Sequence, residues 1–146
     1  MPSELEQIAV DRIVDILRPR TCDLSHSPYA HEFQCQGLTQ FLTTDGVGTK
    51  VRLCAEFKKW DTIGIELVAM NVNDIICRRG VPYMFTNCIS VESPDPDREA
   101  EIARGILAGA EEACLGLSGG EYAVMPTVIK GVDLVGTCLG YRMLPE

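Results

Sequence analysis

The residues best suited to chemistry in this chain are two acids and a lysine set among glycines. Thr44-Asp45-Gly46-Val47-Gly48-Thr49-Lys50 holds one acid and the lysine in a single turn, and Asn71, Asn73 and Asp74 follow about 25 residues later, to within a few positions. Magnesium takes carboxylate oxygens together with phosphate oxygens and water, and glycines at the mouth of a helix let backbone N–H groups approach a phosphate. The string is not a Walker loop, which needs four residues between its first glycine and Gly-Lys-Ser/Thr. Gly46 and Gly48 therefore support two readings: a plain strand-to-helix turn using unusual dihedrals, or a phosphate-holding turn with Thr49 and Lys50. Asp74 is costly on an otherwise apolar helix unless something compensates its charge. Its helical neighbours are Asn71 at i−3 and Arg78 at i+4, so either an ion pair with Arg78 or a magnesium ion shared with Asp45 would serve. Glu121, in the loop Ser118-Gly119-Gly120-Glu121, offers a third acid, and Tyr122 beside it is a candidate pocket residue. His26 and His31 share no face with another ligand type and are not expected to catalyse.

These residues need strands and helices to bring them together. Ser3-Glu4-Leu5-Glu6 reads as a capping box opening an amphipathic helix through Leu5, Ile8, Ala9, Ile13, Ile16 and Leu17, which Pro19 stops. Residues 21–36 show little periodicity and read as a loop or arm. A strand is expected over 38–44, a helix over 49–60, and a long helix from an Asp61 N-cap to about Arg79, ended by Gly80-Val81-Pro82. Its apolar circumference predicts burial, with Trp60 packed beside it. A strand over 83–92, the turn Ser93-Pro94-Asp95-Pro96, a helix over 97–115, a loop over 116–126 and a strand over 132–143 complete the pattern. A few strands mixed with packed helices define an α/β (α+β) fold, a small sheet packed with helices.

The 146 residues are one domain's worth, and 46% hydrophobic composition is enough for a core. A net charge of −8 excludes a general binder of nucleic acid or anionic membrane, because those partners require a basic surface. No apolar run reaches the roughly 20 residues of a membrane span and no secretory leader is recognisable, so a cytoplasmic protein is expected. Seven cysteines, never spaced Cys-x-x-Cys, read as buried reduced thiols.

Taken in order, Thr44 to Lys50, Asp61-Thr62-Ile63-Gly64-Ile65-Glu66-Leu67-Val68-Ala69-Met70 and Val72-Asn73-Asp74 resemble the N-terminal half of aminoimidazole ribonucleotide synthetase, also called phosphoribosylformylglycinamidine cyclo-ligase. The resemblance continues through Gly119-Gly120-Glu121 and Met125-Pro126 to Val132-Asp133-Leu134-Val135-Gly136, so it spans roughly residues 38–143. Members use ATP to activate the formyl amide oxygen of formylglycinamidine ribonucleotide; a nitrogen of the same molecule then closes the imidazole ring of purine biosynthesis and expels phosphate. The resemblance implies that Asp45, Asp74 and Glu121 bind magnesium and that Lys50 neutralises the transferring phosphate. It also implies that Asp45, Gly46, Gly48, Thr49, Lys50, Asn71, Asp74, Gly119, Gly120 and Glu121 surround ATP.

The family's N-terminal domain is similar to those of selenophosphate synthetase, thiamine-monophosphate kinase and formylglycinamidine ribonucleotide synthetase. In these the small sheet meets its copy across a dimer to close a barrel, so a homodimer is implied. The sequence departs from the family pattern at Ser25 to His31, at Arg79-Gly80-Val81-Pro82 and at Tyr122-Ala123-Val124. It stops at Leu144-Pro145-Glu146, about where the family's second domain starts. The expected layout is a single ATP-binding domain, residues 1–37 forming a helix and irregular arm and 38–146 the core, with the C-terminal domain absent. The alternative function is a non-catalytic nucleotide-binding or dimerisation domain related to that enzyme.

Overall fold

The computed structural model describes residues 3–17 and 29–143. Pro19, Cys22, His26, the first part of the irregular segment and the last three residues lie outside them. The capping box forms as its spacing requires: the Glu6 amide donates to Ser3 Oγ (3.3 Å) and the Ser3 amide to Glu6 Oε2 (2.5 Å), opening α1 (Glu4–Leu17). None of its residues is buried.

Two expectations change in the sheet. Part of the irregular segment is a strand: β1 (His31–Cys35) runs antiparallel to β2 (Leu38–Gly46), with Cys35 opposite Leu38. Gln36 and Gly37, at φ +52° and +80°, make the two-residue turn. The glycine-containing loop expected over 116–126 is β4 (Gly116–Val124), running parallel to β3 (Val81–Val91). Small residues with weak strand propensity hide it in the sequence. Its backbone is held from the neighbour: Ser118 Oγ donates to the Phe85 carbonyl and Thr86 Oγ1 to that of Gly119, across a register shift between Phe85 and Asn87. With β5 (Val132–Tyr141) the sheet order is β1-β2-β5-β3-β4.

The helices are α2 (Val51–Phe57), α3 (Asp61–Cys77) and α4 (Pro96–Glu112). The α4 helix makes the crossover that a parallel β3–β4 pair needs. It is capped by Asp95, whose carboxylate accepts from the Arg98 amide, with Pro96 in the first turn. Asp61 is the first helical residue of α3 and does not cap it; Trp60 holds that place, donating its amide to Glu101 Oε2 at 3.1 Å and packing against the core, with Arg98 over its ring. Burial of Ile63, Leu67, Val68, Val72 and Ile75 against Phe41, Phe85, Leu134 and α4's Ile102 and Ile106 builds the core.

Where α3 and α4 touch, side chains are dispensed with. A Cβ on Gly105 would stand 1.8 Å from the Asp61 carbonyl oxygen, and one on Gly64 2.3 Å from that of Ile102. Gly105→Ala is therefore expected to force the helices apart and destabilise the fold by about 2 kcal/mol, read as a lowered denaturation midpoint.

The cysteines are less uniformly buried than expected. Cys54 and Cys138 are buried and Cys88 is half-buried, but Cys35, Cys77 and Cys114 are exposed. Burial pushes the Cys138 thiol up to about 11. At pH 8 an alkylating reagent should label the three exposed thiols and spare Cys138, which mass spectrometry of the folded protein would show. The unfolded thiol loses its proton near 9 and the folded one near 11, so this group's contribution to stability is lost as pH rises between them.

Candidate functional site

The site forms where the end of β2 meets one side of α3. Strand alternation turns Phe41, Thr43 and Asp45 toward the helix and Leu42 and Thr44 away from it. The Thr44 hydroxyl bonds with that of Thr137 across the outer face. On α3, Glu66, Met70 and Asp74 follow i, i+4, i+8 spacing and share one stripe, with Asn71 beside it.

Hydrogen bonds tie the strand and the turn that follows it to the helix. Thr43 Oγ1 donates to Asp74 Oδ2 at 2.8 Å, the Asp45 amide donates to Asn71 Oδ1 at 3.2 Å, and Lys50 Nζ donates to Glu66 Oε1 and to Met70 Sδ. Lys50 closes a short 3-10 turn, Gly48–Lys50, that leads into α2. The turn is anchored from below, because Val47 is buried and donates its amide to the Leu134 carbonyl. Gly48 takes φ +58°, and Gly48, Thr49 and Lys50 are exposed. Gly46 donates its amide to Asp45 Oδ1 at 2.8 Å.

The charge arrangement separates the two readings of Asp74. Arg78 does not pair with it; its guanidinium reaches Glu32 Oε2 at 3.3 Å, and Arg142 reaches the same oxygen at 2.7 Å. Asp74 lies in the last turn of α3, where the helix dipole disfavours a carboxylate by about 0.3–1 kcal/mol. Among the described residues neither Asp45 nor Asp74 has a salt-bridge partner. Asp45 and Asp74 stand on two elements in contact and offer carboxylate oxygens of the kind a hard divalent ion takes together with phosphate and water, though among the described residues no group of three or more such ligands forms.

Glu121 does not join them within this chain. The pairing rows run Asp45, Gly136, Asn87, Gly120 and then Gly46, Val135, Cys88, Glu121. Glu121 is thus three strands from Gly46, about 14 Å at the usual strand spacing, and its row lies on the sheet face opposite Asp45. One magnesium ion cannot be bound directly by both. Gly119 and Gly120 sit at the same far edge, where a Cβ on Gly120 would stand 2.7 Å from the Asn87 carbonyl oxygen. Tyr122 turns to the helical side, its hydroxyl 3.3 Å from Glu99 Oε1; desolvation and the Glu99 carboxylate both raise its pKa.

Asn71, expected at the nucleotide, is completely buried and engaged with the protein. Asn73, next to Asp74, lines a groove of about 400 Å³ between α3 and α4 that contains neither acid. The sequence reading passed over Thr43, Glu66 and Met70; the i, i+4, i+8 spacing that ends at Asp74 is the signal that could have found the last two.

A five-stranded mixed sheet carrying helices, with acids where its second strand meets the long helix, defines the N-terminal domain of the AIR synthase related proteins. Residues 33–141 match that family, AIR synthase related protein, N-terminal domain, and the chain belongs to it. Its curated relatives include phosphoribosylformylglycinamidine cyclo-ligases of Thermococcus gammatolerans, 50% identical over 99 residues, and Pyrococcus horikoshii, 48% identical over 99 residues. Each alignment takes in 68% of this chain and 30% of the relative, so the chain spans under a third of their length. The fold is shared with the solved structure of AaThiL complexed with AMPPCP and TMP, at a TM-score of 0.78 and 16% identity over 97% of this chain and 44% of that one. It is shared also with hydrogenase maturation protein HypE in complex with ATP, at a TM-score of 0.60 and 19% identity over 93% of this chain and 41% of that one.

Proposed function

We propose that this chain supplies the ATP- and magnesium-binding half of a phosphoribosylformylglycinamidine cyclo-ligase, acting in the cytoplasm on formylglycinamidine ribonucleotide in purine biosynthesis. The observation that carries the reading is the pair Asp45 and Asp74, one at the end of β2 and one on the α3 helix that bonds to it, neither with a salt-bridge partner among the described residues. Cyclo-ligases as relatives, and ATP-type ligands in proteins of the same fold, support it.

Bound magnesium and ATP would supply an electrophilic phosphoryl group with its charge neutralised. The chain's own residues hold and orient it. Asp45 and Asp74 offer carboxylate oxygens to the cation, and Thr43 fixes Asp74 so that its other oxygen is free of that bond. The exposed residues Gly48 and Thr49 present backbone to the phosphates, and Lys50 lies one helical turn of α3 from Asp74, through Met70, where its charge can reach the transferring group.

Glu66 competes with polyphosphate for Lys50. Glu66→Gln should free the ammonium and strengthen MgATP binding about threefold, as expected for loss of an exposed ion pair, measured by calorimetry. The reaction itself is tested on the intact gene product with ATP, magnesium and formylglycinamidine ribonucleotide. Formation of the aminoimidazole ribonucleotide with one phosphate released per ring is expected. Magnesium-dependent ATP binding without ring closure would instead support the non-catalytic nucleotide-binding reading.

The same proposal includes a homodimer through the sheet face opposite α3. Leu42, Leu139 and Met84 form one row there, with Tyr141 nearby. Glu121 also lies on this face, so its part in a polyphosphate site belongs to the assembled dimer. Light scattering should give twice the chain mass, and Leu139→Asp should give the monomer.

A further inference from the structure

The buried amide of Asn71 accounts for how Asp45 is held. Asn71 is 0% exposed, and all of its hydrogen bonds go to backbone. Its Oδ1 accepts from the Asp45 amide at 3.2 Å, while Nδ2 donates to the Leu67 carbonyl at 2.9 Å and to that of Asp45 at 3.4 Å. One carboxamide therefore serves both the donor and the acceptor of Asp45, as a neighbouring strand would. Among the described residues no strand does this on the β1 side: the β1–β2 ladder runs as far as His31 opposite Leu42, three residues short of Asp45.

The bond to Leu67, one turn back along α3, fixes the direction of the amide and leaves Asn71 no free hydrogen on that side. Gly136, opposite Asp45 in the β2–β5 ladder, supplies the space: a Cβ there would stand 2.7 Å from Asn71 Nδ2 and 2.6 Å from Phe85 Cζ. Three distant segments thus meet at one backbone unit.

We infer that Asn71 is a positioning residue, admitted by Gly136, that clamps the Asp45 backbone so that its carboxylate stays poised for a divalent cation. Asn71 does not touch nucleotide. The side chain was a natural suspect as a phosphate contact, but every polar atom it carries is already committed inside the protein. Leucine in its place keeps the volume and leaves the Asp45 N–H and C=O without their partner, which is costly for a buried or half-buried peptide. The inference rests on the magnesium–ATP reading of Asp45 for its functional consequence, but not for its structural content.

The test uses the whole chain with Asn71→Leu, Asn71→Ala and Gly136→Ala. Calorimetry measures ATP binding over a magnesium titration and again with EDTA, and hydrogen exchange reads the Asp45 amide. In each folded variant the expected result is at least about tenfold faster exchange at Asp45 and an about tenfold higher magnesium half-saturation, with ATP binding in EDTA unchanged. Excess magnesium should restore ATP affinity, which a general loss of folding would not allow. Wild-type protection at Asp45 in folded Asn71→Ala overturns the clamp. Equal weakening of ATP with and without magnesium overturns the exclusion of nucleotide contact. If wild-type protein shows no magnesium-dependent binding while the variants still lose protection at Asp45, the clamp stands and the proposed function fails.

Discussion

Asp74→Asn should weaken magnesium-dependent ATP binding about 100-fold while leaving the unfolding midpoint within a few degrees of wild type. The substitution is isosteric, and the amide oxygen can still accept the Thr43 hydroxyl that now reaches Asp74 Oδ2 at 2.8 Å. What disappears is the negative charge. Removing it from the last turn of α3 relieves an unfavourable interaction with the helix dipole, which offsets the weaker neutral hydrogen bond. Stability and ligand binding are therefore separable at this residue. Calorimetry with and without magnesium, beside a thermal melt, decides the matter. Unchanged MgATP affinity would remove Asp74 from the metal site, and a large loss of stability would make it a structural acid.

Lys50→Met should reduce affinity for ATP about 30-fold and leave adenosine binding within about twofold, because a charge-assisted contact to phosphate is lost while the apolar stem length is kept. The same change strands Glu66, which now has the Lys50 ammonium as partner, and adds a negative charge facing the phosphates. The double variant Lys50→Met with Glu66→Gln should recover part of the loss, giving a non-zero coupling between the two positions. Equal losses for ATP and adenosine would show that Lys50 shapes the site as a whole without acting on the phosphates. Both side chains are about half-exposed, so the pairing contributes little to folding, and melts of all three proteins should superimpose closely.

Much of this architecture is legible because it depends on local chemistry. Ser3 and Glu6 cap the first helix through bonds three residues apart, and the apolar circumference of residues 61–77 marks a buried helix. The strand at 38–46 ends at the glycine turn, as its residues require. The elements that escaped are those whose strand character comes from neighbours. β1 exists because a Gln36-Gly37 turn folds it onto β2, and β4 because Ser118, Thr86 and the β3 backbone hold a run of small residues. Neither carries a period-2 apolar pattern strong enough to read alone.

At the site the same division holds. Residue types and spacing supply the chemical inventory: an acid beside a glycine turn, a lysine at its end, and a second acid on an apolar helix where a charge calls for compensation. The pairing comes from the fold. It sent Arg78 to Glu32 and left Asp74 to Thr43, placed Glu121 three strands from Asp45 on the other face, and turned Asn71 into a clamp on backbone. The physical reason is that charge and hydrogen-bonding capacity belong to single residues, whereas partnership depends on strand order and on helix-to-strand contact between segments tens of residues apart.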